Sequence, residues 1–201
     1  MARQRLERPR EQMLEAAMAA ITEHGLAQLT MAALARRLGT SGGHLLYYFG
    51  SKDHMLLETL KWSEERLAVR RDALLALDAP LPARLRAYVD LYLPVGPNDP
   101  RWVLWVEVWS RTLAVPELRD AQVELDRSWH RALVALLSRP EAESLSVRVR
   151  AMLDGFSTQL VVGVPGVERE AVIAHALDLL GAGEDGDRAQ SAGSHHQETV
   201  G

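Results

Sequence analysis

Apolar residues recur every three to four positions along most of this chain, and that period dictates helices. Leu14, Ala17, Met18 and Ile21 stand at i, i+3, i+4 and i+7, and Met31, Leu34, Ala35 and Leu38 repeat the spacing. Each set therefore lies on one face of a helix. No alternating strand pattern, hairpin signal or internal repeat interrupts the period. Punctuation then divides the chain. His24-Gly25 ends the first helix, and Thr30 caps a second that Gly39 ends. Ser41 caps a short third helix through Phe49, and Ser51 caps a fourth through Met55, Leu56 and Leu60, after which a long segment runs to about Leu77. Ser and Thr suit these places because their side-chain oxygens accept from the free amides of a first turn. Further helices are expected over 84–93, 101–114, 116–138, 144–163 and 167–180. Residues 101–114 are apolar nearly all round, which predicts a buried helix. Their valines alone would allow a strand, but no partner strand exists elsewhere. The expected fold is all-α.

Composition narrows the function classes. The 201 residues are 47% hydrophobic and 25% charged, those of an ordinary globular protein. The absence of cysteine excludes disulfides, cysteine-held zinc, iron–sulfur clusters and thiol nucleophiles. No apolar run reaches the roughly 18 residues of a membrane span, and Met1–Arg10 has no signal-peptide core. A cytoplasmic protein without membrane contact is expected. No H-E-x-x-H, P-loop, G-x-S-x-G or paired metal spacing is present, so neither an enzyme nor a metal or cofactor site is predicted. His24, His44 and His54 are ten apart, which is not ligand spacing, and His195-His196 reads as a solvated pair.

The net charge of −4 is unevenly spread. Residues 1–10 hold four Arg and one Glu, forming a basic arm, and Arg36, Arg37 and Lys52 follow. A local basic patch is enough for contact with phosphate in an acidic protein.

Residues 30–49 carry the most information. Two short helices joined at Gly39 have the sequence shape of a DNA-binding helix-turn-helix, whose second helix enters the major groove. Ala32, Ala33 and Ala35 permit close packing, while Leu34, Leu38 and Leu45 form a shared core. Gly42 and Gly43 allow close approach to DNA at some cost in helix order. Tyr47, Tyr48 and Lys52 place two hydroxyls and a cation where a backbone would pass.

These features together resemble the N-terminal domain of the TetR family of transcriptional regulators. The resemblance covers residues 8–60 and rests on Leu29-Thr30, Ala33-Leu34-Ala35, Gly39, Ser41, Gly43, Leu45, Tyr48-Phe49 and Ser51-Lys52-Asp53. Residues 102–163 more weakly resemble the BetI-like subgroup, through Trp105-Val106-Glu107, Pro116-Glu117-Leu118 and Leu153-Asp154-Gly155. The resemblance implies a helix-turn-helix DNA-binding domain over 1–50, a helical ligand-binding and dimerisation domain over 51–181, and a polar tail over 182–201. It assigns phosphate contacts to Thr30, Ser41 and Lys52, base-edge positions to Gly42, Gly43 and His44, and phosphate or base contacts to Tyr47 and Tyr48. Leu46 stands where many members have Tyr, and Gly42 where a long polar side chain is common.

The partners implied are double-stranded DNA, a second copy of the chain and a small-molecule effector. Helices 117–138 and 144–163 are the expected dimer interface, as a four-helix bundle. Trp102, Trp105 and Trp109 form a stripe, which either packs the core or lines a cavity. With Trp62, His130 and Phe156 they are the candidate effector residues. Indole faces beside a carboxylate such as Glu107 suit an aromatic or cationic effector. The expected function is a ligand-responsive repressor on a palindromic operator. The alternative is a helical dimeric ligand-binding protein or enzyme that does not read DNA.

Overall fold

The computed structural model describes residues 9–182. The basic arm before Pro9 and the tail beyond residue 182, with His195-His196, lie outside the described residues. Among the described residues every regular element is an α-helix, as the apolar period requires. The order is α1 Pro9–Gln28, α2 Met31–Arg37, α3 Gly42–Phe49, α4 Lys52–Leu75, α5 Leu81–Tyr92, α6 Pro100–Arg111, α7 Pro116–Leu137, α8 Ala142–Val162 and α9 Arg169–Leu180. None of them is long and apolar enough to cross a membrane.

The described residues form two compact units. One comprises 9–68 with 98–127, and the other 69–97 with 128–182. The divisions fall inside α4, between α5 and α6, and inside α7.

In the first unit α1 packs on α2 and α6, and α2 packs on α3. Met13, Leu14, Ala17 and Ile21 of α1 are fully buried, with Leu34, Leu45, Leu56 and Leu60. Each large aliphatic side chain removed from water in this way contributes roughly 1.5–3 kcal/mol. The caps fall where the sequence places them. Thr30 Oγ1 accepts from the Ala33 amide at 3.1 Å, Ser41 Oγ from His44 at 3.2 Å, and Ser51 Oγ from His54 at 3.0 Å.

The regular run of the first helix ends at Gly25, where the sequence places its stop. Gly25 breaks the helical backbone at φ 72° and ψ 158°, and the chain resumes one further turn to Gln28. The resumption has a physical cause on α6. The buried Leu26 amide, deprived of an intrahelical acceptor, donates to Glu107 Oε1 at 2.9 Å. Farther along α6, Arg111 Nη2 donates to Asp53 Oδ2 at 2.8 Å, and its Nε lies against Oδ1. Two contacts thus tie α6 to the helices around the turn motif.

In the second unit α9 packs on α5 and α8. Its core includes Leu85, Tyr88, Val89, Leu133, Val149, Leu153, Ile173 and Ala176. α5 begins at Leu81 rather than 84, because Pro82 sits in the first turn, where its missing N–H leaves no bond unmade. α9 begins at Arg169 rather than 167, since Val167 closes a turn on the Val164 carbonyl. α4 stops at Leu75 and α6 at Arg111, each followed by turn residues.

Gly25→Ala should cost about 1–3 kcal/mol in urea unfolding, because its backbone region is almost closed to side-chain-bearing residues. Glu107→Ala should cost about 1–3 kcal/mol by stranding the buried Leu26 amide, whereas Glu107→Gln, which keeps an acceptor, should restore most of it. Equal stability of the Ala and Gln variants would contradict that account.

Candidate nucleic-acid interface

The α3 helix is two-sided. Leu45 and Phe49, four apart, are buried, whereas Gly43, His44, Leu46, Tyr47 and Tyr48 are exposed. Tyr47 is 86% exposed, the extreme case. Consecutive exposed Leu, Tyr and Tyr side chains add nothing to a core, so their placement makes sense as contact surface. The rings support one another. His44 and Tyr48 meet edge to face with centroids 5.0 Å apart, and Tyr47 meets Tyr48 at 5.9 Å.

The two glycines of the first turn are not demanded by packing. A Cβ at Gly42 would stand 3.8 Å from Ala32, an ordinary contact, and one at Gly43 would meet nothing within 4 Å. Neither has a positive φ. Their bareness instead leaves the first-turn amides of α3 open to a close-lying anion, next to the Ser41 cap.

The basic residues play unequal parts. Arg37 is committed to Glu23, at 2.8 and 3.2 Å. That hydrogen bond holds the Glu23 carboxyl below its ordinary pKa. Arg36 is exposed and makes no ion pair among the described residues. Lys52 is half-buried, its Nζ 3.4 Å from the Ala27 carbonyl at the end of α1. Arg36 and Arg37 are alike and adjacent in the sequence, and only the position of Glu23 separates them.

The effector candidates divide between the units. Trp62, Trp102, Trp105 and Trp109 belong to the first, and His130 and Phe156 to the second. The stripe is real. Trp109 meets Trp102 at 5.8 Å and Trp105 at 5.9 Å. Trp102 and Trp105 are buried, and Trp62 and Trp109 are half-buried. The carboxylate beside the indoles is Glu64 of α4, not Glu107. Glu64 is 3% exposed and accepts from Trp105 Nε1 at 2.8 Å. Arg101 lies 3.5 Å from the same oxygen and covers Trp102. Arg66 covers Trp62. His130 is held at both nitrogens, by Glu143 at 2.6 Å and Ser146 at 2.9 Å. Phe156 stacks on His175.

A second aromatic cluster, outside the expected effector residues, lies within the second unit. The Tyr88 and Tyr92 rings stand at 78° and 76° to that of Trp129, with centroids 5.7 and 5.0 Å away. Tyr88 donates to the Trp129 carbonyl at 3.0 Å, and Tyr92 to Asp154 Oδ1 at 2.6 Å. Burial, reinforced by the Asp154 charge, pushes the Tyr92 phenol well above its ordinary range, so it stays protonated and donates. The Arg71 guanidinium lies 5.0 Å over the Trp129 ring. The four-residue spacing of Tyr88 and Tyr92 is a signal for part of this cluster; nothing in the sequence joins Arg71 to it.

Similarity to known proteins falls in two stretches of the sequence. Residues 13–59 match the family described as bacterial regulatory proteins, tetR family, and residues 82–183 match the BetI-type transcriptional repressor C-terminal family. The HTH-type transcriptional regulator BetI of Burkholderia mallei is 30% identical over 178 residues, covering 85% of this chain and 91% of that protein. A solved transcriptional regulator from Saccharomonospora viridis, in complex with choline, is 27% identical with a TM-score of 0.79, covering 87% of this chain and 96% of that one. The regulator FadR of Bacillus subtilis, solved with stearoyl-CoA, shares the fold at 19% identity and a TM-score of 0.71, covering 85% of this chain and 97% of that one. The helix-turn-helix geometry and these matches together establish that the chain belongs to the TetR family of bacterial transcriptional regulators, with a BetI-type C-terminal region.

Proposed function

We propose that this regulator is a ligand-responsive repressor that acts as a cytoplasmic homodimer on a palindromic operator. The carrying observation is α3, which buries Leu45 and Phe49 and leaves His44, Leu46, Tyr47 and Tyr48 outside. In this reading His44 and Leu46 face base edges, with Gly42 and Gly43 close to them. Tyr47 and Tyr48 contact backbone or bases, and Thr30, Ser41 and Lys52 contact phosphate. Arg36 joins them as an exposed cation. DNA reading belongs to residues 1–50, and effector binding and dimerisation to 51–181.

A face of α8 supports the dimer. Ser144, Val147, Ala151, Gly155 and Val162 recur three, four and seven apart, and all are exposed. Small and apolar residues on one stripe permit close helix approach across a symmetric interface. Two recognition helices then engage half-sites about 34–36 Å apart.

The effector class is an organic cation. Aromatic surfaces with nearby carboxylates occur in both units, at Trp105 with Glu64 and at Tyr92 with Asp154. The choline bound by the Saccharomonospora viridis regulator is a cation of this class. Of the stripe, Trp62 and Trp109 keep partly open rings. The effector works by preferring the conformer that does not fit DNA; equal affinity for both conformers would shift nothing.

Fluorescence anisotropy on duplexes tiling the DNA around the gene should find one palindromic tile bound tightly, with affinity falling steeply as salt rises. Lys52→Ala should weaken binding across sequences and flatten the salt slope by about one for each phosphate no longer neutralised. His44→Ala should instead alter sequence preference; an unchanged ranking of operator variants would remove His44 as a base reader. Gly155→Glu should give a monomer by light scattering and lose operator binding, and a dimer that still binds would place the interface elsewhere.

A further inference from the structure

The Arg71 guanidinium is the anomalous charge of the second unit. The residue is only 8% exposed, yet no carboxylate pairs with it among the described residues. Its partners are a neutral hydroxyl, Ser128 Oγ at 3.0 Å, and the face of Trp129 at 5.0 Å. Buried charges are normally paired, because desolvation is otherwise uncompensated. The carboxylate of this cluster, Asp154, accepts from Tyr92, which also feels the charge of the buried Arg150. A cation has therefore been placed on an aromatic surface in preference to a salt bridge.

The indole on which Arg71 rests belongs to an aromatic cluster. The near-parallel rings of Tyr88 and Tyr92, 30° apart, stand roughly at right angles to the indole. Ring faces attract cations through their quadrupole, and the attraction grows as water is excluded. The hydrogen bond from Tyr92 to Asp154 adds electron density to that phenol. A quaternary ammonium suits such walls better than a guanidinium does. It has no N–H to satisfy, and its methyl groups bury apolar surface against the rings. Five guanidinium donors, by contrast, are better served by water.

We propose that the corner of Trp129, Tyr88 and Tyr92, with Asp154 behind it, is the organic-cation site of this protein, and that Arg71 is its built-in occupant, displaced when the effector binds. The assignment rests on the reading that the effector is an organic cation. It makes Arg71 the residue that sets effector affinity, since the site is competent only in the fraction of molecules whose guanidinium has left.

Calorimetric titration of the full-length protein with tetramethylammonium chloride, and separately with choline chloride, tests this. Arg71→Met and Arg71→Gln both empty the cation position, and Gln retains a donor for Ser128. Either folded variant, verified by circular dichroism, should bind the ammonium probes about tenfold more tightly than the wild type. Arg71→Lys, which keeps a cation, should stay within about threefold of it. Unchanged or weaker binding by both neutral variants, with the wild type still binding, overturns the role of Arg71 and leaves the cationic effector standing. Absence of binding by every form overturns the cation reading as well, while operator binding, measured without any ammonium ion, reports on the regulator independently.

Discussion

Burial of Leu45 and Phe49 beneath α3 is the constraint on which the exposed face of that helix depends. An eight-residue helix is too short to persist by itself, so its orientation is set by those two side chains and by the Ser41 cap. Once they are inside, the helical period leaves Gly43, His44, Leu46 and Tyr47 no position but the outside. The exposed aromatic surface follows from the core contact.

The position of α3 depends in turn on helices remote in sequence. α6 meets α1 where Gly25 interrupts it, and Glu107 supplies the acceptor that the interruption takes away. The Arg111–Asp53 pair fastens the same helix to the start of α4. The first compact unit therefore holds a segment, residues 98–127, that chain order alone would assign to the rest of the protein. Its indole stripe and its clamps on the turn motif share one helix of twelve residues.

Two buried charges, one in each unit, are met in different ways. In the first, Glu64 is neutralised by Arg101 and bonded by the Trp105 indole, an arrangement complete in itself. In the second, Arg71 rests on an aromatic face and a hydroxyl. A paired charge holds its place firmly, whereas an aromatic face accepts any cation of suitable shape. The chemistry of exchange therefore belongs to the second cluster.

Local pattern alone determined the helical class, the caps at Thr30, Ser41 and Ser51, the turn at Gly39 and the DNA-reading motif. These depend on neighbours within a turn or two, which sequence spacing encodes directly. The extra turn beyond Gly25 is not legible in the same way, because it leans on a carboxylate 81 residues away. Adjacency along the chain groups Glu107 with the indoles and passes over Glu64, since nothing in a linear sequence tells which of two carboxylates a fold brings beside Trp105. Arg36 and Arg37 read alike until Glu23 claims one of them. Tertiary structure decided each of these, because charge pairing and aromatic contact are set by distances in space between groups far apart along the chain.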